Sequence, residues 1–402
     1  MRFLLCTPVI TAVLKALCVL VALSSPLAIS AAESKDEEFV IEVDCPRPCL
    51  PVHIDGKQYR FIVDTGASET TFDPRLRRHL GEFRGRSFLD QKNQGGVLVD
   101  EYGPTNAFVR MAPLTEKRTV RCFDLTSFRA LDDSEYDGMV GVDFLNKYVV
   151  QFDLDGKRIR LLSKVPDDVG EPFSFVDDST SRPVIQMRLC NNGNDIDGNF
   201  LVDTGAQGGL CVRQSEFRAL FNAGQISYPE LFRTWNADGN EIAIRGRLSS
   251  ARLGPFAIRE VTVATDEHVK WIGMKCLSRF LVTIDFPGRM VYLKERKQFA
   301  NQADRWDLSG MWVRRHAAQT IVDSVMPSSP GEAAGLRAGD VIESIDGVPA
   351  TSLSVTKIRR IFEDPGRSVS ITLRRDEEVV DATVLLKEYR KERPTIRRWP
   401  GE

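Results

Sequence analysis

Phe61-Ile62-Val63-Asp64-Thr65-Gly66-Ala67 is an apolar run that ends on an acid and a glycine. Phe200-Leu201-Val202-Asp203-Thr204-Gly205-Ala206 repeats it with a single change, Leu201 for Ile62. Each reads as a buried strand that delivers one carboxylate into a tight turn, with Gly66 or Gly205 allowing the backbone to bend where a side chain would clash. A lone Asp-Thr-Gly is weak evidence, because Asp before Gly is a common turn former. Two copies with matching flanks raise the question of whether the carboxylates meet, since two acids held close together share one proton.

Outward from the two turns, a second repeat appears. Gly141 to Leu161 (GVDFLNKYVVQFDLDGKRIRL) lies without a gap over Gly273 to Leu293 (GMKCLSRFLVTIDFPGRMVYL). Both halves therefore hold, in the same order, a carboxylate turn and then an apolar-apolar-Gly element leading into a strand hairpin. That is duplication of a whole domain. The expected fold is mostly β, with a first lobe over 33–167 and a second over 168–296. Within the first lobe, Leu50 to Ile54 and Tyr59 to Val63 flank Asp55-Gly56 as a hairpin, and Asp73-Pro74 caps a short helix through Leu80.

The flanks of these lobes read differently. Residues 1–32 have a positive start, an apolar stretch and small residues before Glu33, the pattern of a signal peptide cut near Ala32, with an uncleaved membrane anchor as the alternative. This places the mature chain in a secreted or periplasmic setting, with no integral span after cleavage. Six cysteines follow the leader; Cys45 and Cys49 are placed to close a small loop, and zinc is the weaker reading because no second closely spaced pair exists. The formal net charge of −2 excludes a global field for nucleic acid. Asp132-Asp133 and Asp177-Asp178 read as solvated loops, and Cys211 as a buried thiol or disulfide partner. Residues 297–307 read as a polar linker, 308–390 as a third unit and 391–402 as a basic tail.

The paired Asp-Thr-Gly-Ala turns, each followed by an apolar-apolar-Gly element (Met139-Val140-Gly141 and Trp271-Ile272-Gly273), resemble aspartic proteases. Each lobe is similar to retropepsins in brevity, and the pairing of two lobes in one chain is similar to pepsin. The resemblance implies a bilobal acid-protease fold of two duplicated β-barrel-like lobes, and an endopeptidase acting on polypeptides without metal or organic cofactor. By match to the motif, Asp64 and Asp203 are the catalytic pair, with Thr65, Gly66, Thr204 and Gly205 supporting the turns. Tyr102-Gly103, or Gly95-Gly96, is the expected tip of a hairpin that closes over substrate. Ala67 and Ala206 stand where many pepsin-like enzymes place a hydroxyl on the carboxylate, which predicts raised pKa values and activity at mildly acidic to neutral pH. A monomer is expected, with pairing of lobes between two chains as the alternative. So is, from another class, a non-catalytic peptide-binding scaffold with degenerate protease lobes.

Ser329 to Ile342, ending in Ile345-Asp346-Gly347, resembles the PDZ family in its bacterial form. A PDZ β-sandwich or barrel with short helices is implied, binding extended peptide tails between one strand and one helix. Gly310, Met311, Trp312 and Val313 fall at the binding strand, with exposed backbone expected at Gly310. Ile358 and Phe362 are candidates for the helical wall, with the plain alternative that both are core.

Overall fold

The duplication seen in the sequence is a duplication of sheet order. In the computed structural model, which describes residues 36–387 except 42–46, 90–96, 115, 118, 177–179, 191–192, 237–238, 267, 297–302 and 317, the first lobe builds one sheet and the second builds its counterpart. Starting from the innermost strand pair, the first runs Cys49–Ile54, Lys57–Val63, Gly138–Val140, Thr71–Phe72, Val120–Cys122, Val97–Tyr102 and Phe83–Leu89, with Ala107–Val109 and Ala112–Pro113 extending its other edge. The second runs Val184–Leu189, Ile196–Val202, Trp271–Ile272, Leu210–Val212, Phe256–Thr265, Gly239–Leu253 and Ile226–Asn236. Element for element, the two series match. The strand leading to each Asp pairs in parallel with the apolar-apolar-Gly element of its own lobe, Val63 opposite Val140 and Val202 opposite Ile272.

A third sheet joins the halves. Its six strands run Glu37–Val40, Arg158–Leu162, Val149–Asp153, Phe280–Asp285, Met290–Glu295 and Glu171–Ser174, three from each side. Val149–Asp153 pairs antiparallel with Phe280–Asp285, so that Gln151 faces Thr283, its own counterpart in the sequence repeat. Gln151 Nε2 donates to Thr283 Oγ1 at 3.0 Å in a buried setting. One continuous apolar core, from Phe39 to Leu293, lies beneath all three sheets.

The short helix at 73–80 is present as a 3-10 helix, Pro74–His79, capped by the Asp73 side chain. Among the described residues, one element of the first half has no counterpart in the second. The helix Thr126–Asp132 fills the connection from Val120–Cys122 to Gly138–Val140, where the second half has only the short connection 266–270. It packs on a separate small cluster of Ile62, Val99, Phe123, Leu125, Tyr136 and Met139, joined by Phe128. The expectation that Asp132-Asp133 is a solvated loop is overturned: Asp132 is fully buried at the helix end, because three side chains supply its carboxylate with donors or charge. Asp177-Asp178 lies outside the described residues.

The C-terminal unit has its own core and a sheet in the order Met311–His316, Gln319–Val325, Val341–Ile345, Ser368–Arg375, Glu378–Leu385, with helix Val355–Ile361 packed on it. The stretch 303–307, expected as linker, is firmly packed. Asp304 accepts from Thr262 N (2.8 Å), Thr262 Oγ1 (2.9 Å) and Arg279 Nη2 (2.7 Å). Trp306 and Leu308 belong to the C-terminal core. Among the described residues no helix is long and apolar enough to cross a membrane; residues 1–35 and 388–402 lie outside them.

Candidate active site

Each carboxylate turn is built the same way. Asp64 N donates to Val140 O and Asp203 N to Ile272 O, both at 3.0 Å, which ends each strand at its acid. Asp64 Oδ1 then accepts from Gly66 N (2.8 Å) and Ala67 N (3.0 Å), and Asp203 Oδ1 accepts from Gly205 N and Ala206 N at the same distances. The turn is thereby closed on its own side chain, and one carboxylate oxygen of each acid stays turned away from the backbone donors.

The two turns face each other. Thr65 Oγ1 donates to Val202 O at 2.6 Å and Thr204 Oγ1 to Val63 O at 2.7 Å. In return, Thr65 N donates to Thr204 Oγ1 (3.2 Å) and Thr204 N to Thr65 Oγ1 (3.1 Å). Both threonines are buried, so each hydroxyl is satisfied only by the opposite turn. The crossed bonds bring each carboxylate onto the other turn's glycine. A methyl group on Gly66 would stand 2.6 Å from Asp203 Oδ2, and one on Gly205 would collide with the Asp64 carboxylate. Asp64, Asp203, Thr65, Gly66, Thr204 and Gly205 are therefore gathered within one chain.

Both acids are partly accessible and crowded by protein. Burial pushes Asp203 up to about 7, and the neighbouring charge of Asp64 adds to it, against the pull of the Ala206 and Gly205 amides and of Arg182. Asp64 is also raised by burial, opposed by the Gly66 and Ala67 amides and by Arg47 and Arg182. Burial thus leads over any missing hydroxyl at Ala67 and Ala206 as the cause of the shift.

Two arginines that the sequence reading passed over complete the symmetry. Arg47 Nε donates to Gly205 O at 2.9 Å, and Arg182 Nη1 donates to Gly66 O at 3.0 Å. Each precedes a proline whose carbonyl accepts from the end of the acid-bearing strand, Val63 N to Pro48 O and Val202 N to Pro183 O, both 2.8 Å. Each arginine therefore reaches across to the turn of the other lobe. Their signal was the repeated Arg-Pro dipeptide, Arg47-Pro48 and Arg182-Pro183.

The hairpin Phe83–Leu89/Val97–Tyr102 forms one edge of the first sheet. Tyr102-Gly103 is not its tip. Tyr102 pairs with Phe83 at the base and is buried in the core, and Gly103 N donates to Glu82 O at 2.8 Å, because the chain must close against 81–82 there. Gly95-Gly96 belongs to the connection 90–96, outside the described residues. An unforeseen second hairpin, Ile226–Asn236/Gly239–Leu253, is the counterpart in the other half.

The C-terminal sheet presents Met311–His316 as an edge strand beside helix Val355–Ile361. The sequence of residues 321–375 matches the PDZ domain family. Residues 321–375 are a PDZ domain. The chain is also 29% identical over 92 residues to Regulator of sigma-E protease RseP of Escherichia coli (strain K12), covering 22% of this chain and 20% of that protein, about a fifth of its length. In the same C-terminal unit, Gly310 is buried rather than exposed: it takes a left-handed φ of +70°, and its carbonyl accepts from Met326 N at 2.8 Å. Met311, Val313, Ile358 and Phe362 are side chains of the core of the C-terminal unit. Trp312 alone of the six expected peptide-binding residues is half-buried, with the Arg359 guanidinium 5.0 Å from its ring centre.

Proposed function

We propose that the chain is an aspartic endopeptidase, similar to retropepsins and pepsin, with both lobes in one chain and the PDZ domain gathering peptide segments. The observation that carries this reading is the crossed pair of turns, in which each carboxylate rests on the glycine of the other. Two acids so placed share a proton across the pH range in which isolated carboxylates are ionised. Asp203, pushed up to about 7, holds the proton. Asp64 is then the base that takes a proton from a water lying between them, while Asp203 protonates the carbonyl oxygen under attack. The tetrahedral diol collapses as the leaving amine takes from Asp64 the proton drawn from water, while a diol hydroxyl returns a proton to Asp203; the peptide C–N bond breaks to give an amine and a carboxylic acid.

The surroundings suit a polypeptide. Phe88 and Leu98 on the edge hairpin are large, apolar and exposed, as a surface that lies down on an extended substrate requires. A secreted or periplasmic setting, from the leader at 1–32, belongs to the same proposal.

Incubation of the purified chain with unfolded polypeptide from pH 3 to 9, beside Asp64→Asn and Asp203→Asn, tests the reading. Expected is a bell-shaped profile whose alkaline limb lies near 7, and loss of cleavage in both variants. Cleavage that survives both substitutions rules the pair out, and absence of cleavage at every pH favours the peptide-binding scaffold.

A further inference from the structure

We propose that the helix Thr126–Asp132 is a positioning element for the second carboxylate turn, and that the peptide-binding face of the PDZ domain holds it in place. The proposal rests on the carboxylate-pair reading for its catalytic consequence. Its structural content stands apart from it.

At the C-terminal end of the helix, Asp132 is fully buried. Its carboxylate accepts from Tyr136 Oη at 2.9 Å and from Gln207 Nε2 at 2.6 Å, and pairs with the Arg47 guanidinium. Arg47 also lies over the Phe128 ring of the same helix, 4.8 Å from its centre, and donates to Gly205 O. Gln207 and Gly205 both belong to the turn that presents Asp203. Two separate links thus tie that turn to one buried acid, and the acid belongs to the helix that the second half lacks.

The PDZ domain meets the helix at this same end. Arg315, on the edge strand Met311–His316, reaches Asp133 Oδ2 with Nη2 (2.9 Å) and Nε (3.2 Å). Thr356, on the helix Val355–Ile361, donates from its hydroxyl to the carbonyl of Asp132 at 3.4 Å. The Thr126–Asp132 helix packs against both of these PDZ elements. The outer edge of Met311–His316 pairs with no strand among the described residues. This edge and this helix are the two elements between which PDZ domains take an extended peptide. A peptide added there meets the Thr126–Asp132 helix, and any shift of the helix pulls on Asp132. Buried polar groups that lose a partner carry a full desolvation penalty, so the shift is felt at Gln207, Arg47 and Gly205. Occupancy of the PDZ domain and rigidity of the Asp203 turn are then two ends of one mechanical path.

The test uses the full chain and Asp133→Asn, Thr356→Val and their combination. Asn tolerates the left-handed conformation of Asp133 (φ +52°), so the first change removes charge without opening the helix end. Amide hydrogen exchange is followed in 126–133, in 203–207 and in the PDZ strand Ser368–Arg375, together with kcat and KM on a peptide substrate. Expected is about a tenfold faster exchange in 126–133 and 203–207 together, the weight of one hydrogen bond to a charged group. Ser368–Arg375 should stay protected, and kcat should fall with KM little changed. Faster exchange in 126–133 with 203–207 unmoved overturns the proposal, as does no change in either. If the double variant unfolds the PDZ domain, Arg315→Lys, which keeps the charge but loses the two-pronged contact, decides in its place. Exchange does not depend on cleavage, so failure here is distinct from survival of activity in Asp64→Asn, which removes the carboxylate-pair reading instead.

Discussion

A methyl group on Gly66 would stand 2.6 Å from Asp203 Oδ2, well inside contact distance. Gly66→Ala is therefore expected to push the turns apart by a fraction of an ångström. Misplacement of about 1 Å can cost about a hundredfold in kcat, so a fall of up to that size is expected, and a steady-state assay beside wild type checks it. Asp203 offers a second test at the same scale. Its folded pKa, about 7, lies above the ordinary value of 3.8, so the native state favours the protonated form. The cost of ionising it is absent below about pH 4 and grows as pH rises towards 7, so stability falls across that window and levels off above it. Asp203→Asn removes the charge while keeping an acceptor for Gly205 N and Ala206 N. It is expected to match wild type in unfolding free energy at pH 4 and to exceed it at pH 8, by at most about 4 kcal/mol. Equal unfolding free energies at both pH values would show that the carboxylate is not raised. The acids were legible in sequence because strand, acid, threonine and glycine are contiguous. That the acids meet was not, since the contact joins residues from opposite halves of the chain.

At the scale of elements, each acid-bearing strand pairs with a strand, Cys49–Ile54 or Val184–Leu189, that follows an Arg-Pro pair, and each arginine caps the other lobe's turn. Arg182 lowers the pKa of both Asp64 and Asp203, whereas Arg47 lowers that of Asp64. Arg182→Met is expected to move the whole pH–rate profile upward and to loosen the Gly66 carbonyl. Arg182→Lys should restore the charge effect in part without the fixed geometry of guanidinium. A profile unmoved in Arg182→Met would place Arg182 in a purely structural role. Strand and hairpin signals served well wherever apolar residues alternate or a turn dipeptide intervenes, as at Asp55-Gly56 between Cys49–Ile54 and Lys57–Val63. They failed at Tyr102-Gly103, where glycine after an aromatic marks a strand's end and not a hairpin tip. They failed again at Asp132-Asp133, because two adjacent acids look solvated until Arg47, Tyr136 and Gln207 arrive from elsewhere. The candidate peptide-binding residues lie on the edge strand Met311–His316, on the helix Val355–Ile361 and directly beside them. Alternation along Met311–His316 turns Met311 and Val313 inward, which leaves Trp312 facing the helix.

For the whole molecule, the decisive matter is which two lobes pair. The sequence repeat showed two equivalent halves and left open whether they meet in one chain or between two. Within the chain, the joining sheet pairs the halves through its own axis of repetition: Gln151 opposite Thr283, Val150 opposite Ile284, Phe152 opposite Val282. Strands Glu37–Val40 and Glu171–Ser174 then close its two sides with one strand from each half. A tethered partner is present at a high effective concentration whatever the dilution, provided the connection spans the gap; here the connection after Leu162 reaches Glu171–Ser174 on the far side of the sheet. Lobes pairing between chains would instead fall apart on dilution, and activity per molecule would drop as the square-law association failed. Specific activity of the purified chain is therefore expected to stay constant from micromolar to low nanomolar concentration. Mixing inactive Asp64→Asn with inactive Asp203→Asn should restore nothing, because neither chain lends a lobe to the other. Recovery of activity in that mixture, or loss of specific activity on dilution, would show that the lobes exchange between chains.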